Sequence, residues 1–154
     1  MVERPFGFQH PVTVRFKDVD VGGHAHHSHA LVYFEEARAA WWRNVAGREG
    51  LDGVDYILAE ATLRYHARVL WPQELRVGVR LARLTRKTFD LDYEVRSEQG
   101  RLLVSGRTVQ VMYDYDAGAS MPVPQDVRDA LEAHEGPFGR RGYPEGDADL
   151  ERSL

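Results

Sequence analysis

The chain has 154 residues, the length of one domain, and its 43% hydrophobic content supplies one core, which excludes a disordered or low-complexity chain. Cysteine is absent, which excludes a disulfide framework, a thiolate nucleophile and a Cys-ligated zinc site. Lys and Arg number 20 against 24 Asp and Glu, and the net charge of -4 lacks the electrostatic footprint of a nucleic-acid-binding protein.

The N-terminal segment, residues 1–10, is typical of a protein without a secretory signal. Glu3, Arg4 and Pro5 stand where a signal peptide needs an apolar core. No apolar run in the chain approaches the ~20 residues of a membrane span. We therefore expect a cytoplasmic protein whose partners include neither a membrane nor a nucleic acid.

A strand and a long helix are the first predicted elements. Alternating apolar and polar residues predict a half-buried strand over 12–17. Ser28 is a suitable N-cap, and Gly47 or Gly50 can end the helix that follows it. Apolar residues recur along that helix at spacings of three and four, on a stripe formed by Ala30, Phe34, Ala37, Trp41 and Val45. Further aromatic residues outside the stripe indicate a helix surrounded by other elements.

Four alternating segments downstream predict strands that surround this helix, at 57–67, 74–81, 88–96 and 102–115. Their short connections favour an antiparallel meander. Such segments are long for a small protein, so we expect the sheet to curl strongly. The fold class is therefore predicted to be α+β, with a curled antiparallel sheet wrapped around one long central helix.

The C-terminal region is predicted to contain a short helix and a tail. Gln125 to His134 forms the helix, whereas 135–154 contains four Gly, two Pro and many charged residues. We predict a single domain over 1–134 and a polar tail over 135–154, which is ordered only if it docks on something. An isolated curled sheet also exposes an edge, which favours pairing with a second copy of the chain.

The most unusual segment lies just before the helix, where four of the seven histidines occur at 24, 26, 27 and 29. One interpretation is metal binding, which His-rich tracts support. His24 and His26 form an HxH pair, but the expected glutamate does not follow it and no HExxH motif occurs. We therefore expect no functional metal. A second interpretation is structural, with Asp18, Gly22 and Gly23 forming turns.

A third interpretation of this segment is catalysis. A carboxylate, two glycines and a histidine before a helix place acid–base groups beside amides that stabilise developing negative charge. Such a site suits acyl transfer, in which a carbonyl oxygen becomes an oxyanion. The chain has no GxSxG motif and no cysteine, so a carboxylate or histidine would activate water, or a carboxylate would attack directly.

A run from Val14 to His24, which contains Asp18, Asp20, Gly22 and Gly23, is followed by Tyr33-Phe34-Glu35-Glu36-Ala37-Arg38. Together these segments resemble the 4-hydroxybenzoyl-CoA thioesterase-like branch of the hotdog superfamily. That branch has an aspartate pair, a glycine and often a histidine, followed by a helix with an aromatic–acid–Ala-Arg pattern. The resemblance covers roughly 10–132, and the segments that carry it are 14–24, 33–38, 65–68, 86–89 and 109–114. It implies an acyl-CoA thioesterase with the hotdog fold that needs no metal or organic cofactor. Coenzyme A belongs to the substrate and is the leaving group, so it is not counted as a cofactor.

The resemblance also implies site residues. The family's catalytic carboxylate falls on Asp20, and an assisting histidine of one branch, seven residues later, falls on His27. His26 departs from the tyrosine that often precedes that histidine. In the family, an Arg-Lys-Ser/Thr segment contacts the phosphates of coenzyme A. The resemblance therefore implies that Arg86 and Lys87 bind these phosphates, and that Thr88 either bonds the pantetheine arm or fills a strand position.

The family builds its active site between subunits, so the resemblance implies a homodimer or a dimer of dimers. The oxyanion donor would be a backbone N–H near 55–59 or one from the central helix. Three alternatives remain open at this point: a non-catalytic module that binds acyl-CoA or acyl-carrier protein on the same fold, a hydratase, and a metal-binding protein that uses the histidine cluster.

Overall fold

The structure is a computed structural model, and it describes residues 6–48 and 55–135. Gly50 and nearly all of the predicted tail, 136–154, lie outside the described residues. The elements in chain order are β1 (Phe8–Thr13), a short 3-10 helix (Phe16–Asp18), α1 (His29–Ala46), β2 (Tyr56–Tyr65), β3 (Glu74–Leu84), β4 (Thr88–Ser97), β5 (Leu102–Asp114), β6 (Ala119–Ser120) and α2 (Gln125–Glu135).

The strands form an antiparallel sheet in the order β1-β3-β4-β5-β2, and β6 adds to β5. The β1–β3 register runs from Phe8 opposite Val79 to Thr13 opposite Glu74. Together with the long helix, this sheet confirms the predicted α+β class. The strands predicted at 57–67, 74–81, 88–96 and 102–115 correspond to β2 to β5.

The predicted meander is correct for β3, β4 and β5 but wrong for β2, which pairs with β5 instead of β3. The connection after β2 does not turn straight back because it bonds to the histidine-rich segment. The Ala25 N–H donates to the Val69 carbonyl at 2.8 Å, and His24 forms an antiparallel bridge with Leu70. These contacts place the segment before α1 beside the segment after β2.

The first strand was predicted too far along the chain, at 12–17, whereas β1 spans Phe8–Thr13. The Asp18 side chain explains the difference, since its Oδ2 accepts a hydrogen bond from the Arg15 N–H at 3.0 Å. The Asp18 N–H in turn donates to the Arg15 carbonyl at 2.9 Å, which closes the 3-10 turn. Phe16 is therefore 74% exposed instead of continuing the buried side of the strand.

The described residues group into two compact units, and their boundary falls within α1 and within β2 to β5. The first unit contains 6–41, 63–80 and 92–106. Its core joins α1 to β4, where the Phe34 ring stacks on Tyr93 with centroids 4.2 Å apart. The buried Arg38 guanidinium donates to the Tyr93 hydroxyl at 3.2 Å.

The second unit contains 42–48, 55–62, 81–91 and 107–135. Trp42 of α1 stacks on Phe89 of β4 at 5.3 Å, and the edge of Tyr56 contacts both rings. Gly47 has φ +65, a value that favours glycine, and its N–H donates to the Arg43 carbonyl, so α1 ends at the first of the two predicted glycines. The predicted final helix is confirmed as α2.

Candidate functional site

The segment between the 3-10 helix and α1 folds into a tight turn. The Asp20 N–H donates to the His24 carbonyl at 3.0 Å, and the Gly23 N–H donates to the Asp20 carbonyl at 3.1 Å. Gly23 has φ +78, which a residue with a side chain rarely adopts. The turn formers identified in the sequence therefore have the predicted structural role, and they fix the direction in which the Asp20 side chain leaves the backbone.

This turn forms one wall of a cavity of about 360 Å³ in the first unit. The segment 25–27 just before α1 and the segment 66–69 just after β2 supply most of the remaining wall, together with Ala30 and Tyr33 of α1 and Tyr65 of β2. The lining residues are Asp20, His24, Ala25, His26, His27, Ala30, Tyr33, Tyr65, His66, Ala67, Arg68, Val69 and Val104. A concave site with small apolar residues and a few convergent polar groups is the usual form of a small-molecule site.

The Asp20 carboxylate is half-buried in the cavity wall and is held through one oxygen. Its Oδ1 accepts a hydrogen bond from the Gly22 N–H at 2.8 Å. Its Oδ2 accepts no hydrogen bond from any other residue in 6–48 or 55–135. One oxygen thus orients the carboxylate, while the other is available to water or to a ligand.

Asp18 has the opposite environment, with only 4% of its surface exposed. Its Oδ2 accepts a hydrogen bond from the Tyr33 hydroxyl at 2.9 Å, and its Oδ1 lies 3.4 Å from His29 Nε2. Burial and this hydrogen bond to Asp18 raise the pKa of Tyr33 well above its usual value, so the phenol stays protonated and donates. Asp18 therefore ties the 3-10 helix to α1, and Asp20 is the carboxylate that lines the cavity.

His26 and His27 stand side by side at the start of α1, with ring centroids 3.9 Å apart. The Ser28 N–H donates to His26 Nδ1, and the Ser28 hydroxyl lies 2.8 Å from the same atom. Nδ1 acts as an acceptor here, so a neutral His26 carries its proton on Nε2. The His26 ring is thus oriented from within the segment.

The His27 side chain is exposed, and its carbonyl accepts a hydrogen bond from the Tyr65 hydroxyl at 2.7 Å. The His27 backbone N–H donates to no other residue within the described ranges. Both residues that were predicted to be catalytic, Asp20 and His27, line this cavity.

The residues predicted to contact coenzyme A lie in the second unit, at the turn between β3 and β4 and the first residue of β4. The Arg86 side chain is exposed, and Lys87 Nζ donates to the Ser120 hydroxyl at 3.1 Å. Thr88 is 2% exposed, and its hydroxyl lies 2.6 Å from that of Thr85. Thr88 thus has its hydrogen bond inside the protein, and none of the three predicted residues is among those that line the described cavity.

The sequence interpretation assigned no role to three residues of this cavity, which are Tyr65, His66 and Arg68. The stretch 65–68 was noted only as a match to a family strand. No local pattern marks these residues, because they reach the cavity through the pairing of the segment after β2 with the histidine-rich segment.

Two features are absent from the described residues: a cluster of metal ligands and a membrane-spanning helix. Within 6–48 and 55–135, no group of three or more His, Cys, Asp or Glu side chains is arranged to hold a metal ion. Across the same residues, no helix is long and apolar enough to cross a membrane.

Comparison with known proteins places this geometry in a family. The model of the thioesterase-like superfamily matches residues 14–131. The uncharacterized protein YsmA of Bacillus subtilis (strain 168) is 23% identical over 126 residues, which cover 82% of this chain and 86% of YsmA.

Two solved structures show the same fold. A thioesterase from Thermus thermophilus, in complex with coenzyme A and Zn, is 27% identical with a TM-score of 0.74, and the match covers 84% of this chain and 94% of that one. Slr0204, a 1,4-dihydroxy-2-naphthoyl-CoA thioesterase from Synechocystis, is 22% identical with a TM-score of 0.73, over 84% of this chain and 98% of its own. The chain has the hotdog fold and belongs to the thioesterase-like superfamily.

Proposed function

We propose that this protein is an acyl-CoA thioesterase that hydrolyses a CoA thioester to a free acid and coenzyme A. The family match and the likeness to a thioesterase that binds coenzyme A support this class of reaction. The observation that carries the proposal is the Asp20 carboxylate, which lines the cavity, is fixed through Oδ1 and has Oδ2 open to a reactant.

Asp20 supplies the base or the nucleophile. As a base, Oδ2 takes a proton from water while the water oxygen bonds to the thioester carbonyl carbon. The C–S bond then breaks, and the coenzyme A thiolate leaves and takes up a proton. As a nucleophile, Oδ2 itself bonds to the carbonyl carbon, thiolate leaves, and water hydrolyses the resulting anhydride.

The backbone just before α1 stabilises the negative charge that develops on the carbonyl oxygen in either route. The N-terminus of a helix carries partial positive charge and exposes backbone donors. His27 lines the cavity and has a backbone N–H without a partner among the described residues, so we infer that this N–H is the oxyanion donor. The exposed His27 imidazole orients water or protonates the departing thiolate.

Coenzyme A and a second subunit complete the proposed site. We keep Arg86 and Lys87 as contacts for the phosphates, since both side chains reach the surface of the turn between β3 and β4. The Thr88 hydroxyl is engaged with that of Thr85 inside the protein, so we do not assign Thr88 to the pantetheine arm. The assembly proposed is a homodimer or a dimer of dimers in the cytoplasm.

The test is thiol release from a panel of aliphatic and aromatic acyl-CoA esters, with binding of coenzyme A measured in parallel. We expect turnover by the wild type, and we expect it to survive chelation because a carboxylate and water suffice for the chemistry. His27→Ala should lower kcat by about 10²-fold, whereas His10→Ala, in β1 and away from the cavity wall, is the matched control. Binding of coenzyme A without turnover of any ester would instead identify a binding module.

A further inference from the structure

The cavity has an uneven set of ionisable side chains. Asp20 is the single carboxylate among the described residues that line it. Five lining residues have ring or guanidinium nitrogens that can donate hydrogen bonds to an anion, and these are His24, His26, His27, His66 and Arg68. The few polar groups of a small-molecule site determine which ligand it accepts and how the ligand is oriented. Away from Asp20, this wall is suited to an anionic group.

Arg68 is the side chain that gives this wall a permanent charge, because a guanidinium stays protonated in proteins. In the first unit, Arg15, Arg80 and Arg96 lie 3.4, 3.5 and 2.9 Å from an acidic oxygen. The exposed Arg64, Arg76 and Arg101 have no such partner within the described residues, but they do not line the cavity. Arg68 has no hydrogen bond or ion pair with any other residue in 6–48 or 55–135. Its guanidinium is thus available to a ligand in the cavity.

The backbone around Arg68 is held in place from both sides. The His66 and Ala67 N–H groups both donate to the Leu103 carbonyl, at 2.8 and 3.2 Å, and the Val69 carbonyl accepts from Ala25. His66 Nε2 also lies 2.8 Å from the Ser105 hydroxyl. A charged group on a preorganised segment loses less free energy when it binds a ligand than one on a free loop.

We propose that the acyl group of the substrate carries a carboxylate. The Arg68 guanidinium binds this carboxylate, and His66 lies beside it. A guanidinium and a carboxylate match in a two-bond geometry that a neutral acyl chain cannot offer. The cavity of about 360 Å³ lies at the small end of ligand sites, which favours a short dicarboxylic acyl group. This inference rests on the proposed function, because the acidic acyl group is part of the thioester substrate.

The anion could also come from the phosphates of coenzyme A, so the test separates the two sources. The probes are two non-hydrolysable thioethers, S-(3-carboxypropyl)-CoA and S-butyl-CoA, which share all phosphates and differ in one carboxylate. Calorimetry should show about tenfold tighter binding of the carboxylated probe by the wild type. Arg68→Gln should abolish this preference. Arg64→Gln, an exposed arginine of β2 outside the cavity lining, should retain it.

Two outcomes overturn the inference. Equal binding of both probes by the wild type means that no acidic acyl group is recognised. An equal loss for both probes in Arg68→Gln means that Arg68 binds a phosphate of coenzyme A, and N-acetylcysteamine analogues, which lack phosphates, should then show no loss.

Measuring the hydrolysis of succinyl-CoA and butyryl-CoA separates the test of this inference from the test of the proposed function. Turnover of both esters at equal kcat/KM, together with equal binding of the two probes, leaves the thioesterase standing and removes the preference for an acidic acyl group. A tenfold binding preference without any turnover supports anion recognition by Arg68 and contradicts the proposed hydrolysis.

Discussion

Asp18 and Asp20, two residues apart, have different surroundings and therefore different roles. Asp18 is buried and accepts hydrogen bonds from Tyr33 and from the Arg15 N–H, whereas Asp20 lines the cavity with one oxygen unpaired within the described residues. The sequence pointed to Asp20 only through the family resemblance, because composition and spacing do not distinguish the two carboxylates. Arg68 received no role from the sequence beyond its place in a matched segment, since its position in the cavity depends on strand pairing.

The Tyr33 hydroxyl is predicted to stabilise the segment before α1 through Asp18. Tyr33→Phe keeps the ring and removes the donor at 2.9 Å, which leaves a buried carboxylate with one hydrogen bond fewer. We expect the free energy of unfolding to fall by about 1–3 kcal/mol in urea titrations. A change below about 0.3 kcal/mol would mean that this hydrogen bond contributes nothing to stability.

At the scale of elements, periodicity predicted the helices and the strands β2 to β5. A buried face accounts for the pattern in α1, α2, β3, β4 and β5, whereas Tyr56 is the one buried residue of β2. The end of β1 could not be predicted in this way, since it depends on the bond between the Asp18 side chain and the Arg15 backbone. The pairing of β2 with β5 was also missed, because a short connection suggests a hairpin unless its residues have other partners.

The C-terminal half of α1 is predicted to depend on Trp42, which stacks on Phe89 and is 2% exposed. Trp42→Ala removes a large buried side chain and should lower the free energy of unfolding by about 3–5 kcal/mol. Leu31→Ala on the same helix is the control, and at 39% exposure it should cost less than about 1 kcal/mol. Equal losses in the two variants would contradict this account of the core.

At the scale of the molecule, the two edges of the sheet are unequal. β1 is short and contains Pro11, which discourages pairing with another strand, whereas β2 has ten residues. Leu58 and Tyr65 of β2 are also exposed. The sequence predicted an unpaired edge but could not tell which strand would form it, because that depends on the strand order.

We predict that two copies of the chain pair in solution and cover the exposed side of β2. Light scattering coupled to size-exclusion chromatography should give twice the mass of the chain, or four times for a dimer of dimers, and the mass should not fall on moderate dilution. A mass equal to one chain at all concentrations would contradict both assemblies and the proposal of a site shared between subunits.

The measurement that tests the central claim most directly is the kcat of Asp20→Asn on the best thioester substrate. The asparagine carbonyl can still accept the hydrogen bond from the Gly22 N–H, so the turn is retained while the base or nucleophile is lost. We predict a loss of at least ~10²-fold in kcat, with little effect of the control Asp116→Asn in the exposed turn before β6. Turnover of Asp20→Asn at the wild-type rate would contradict the account.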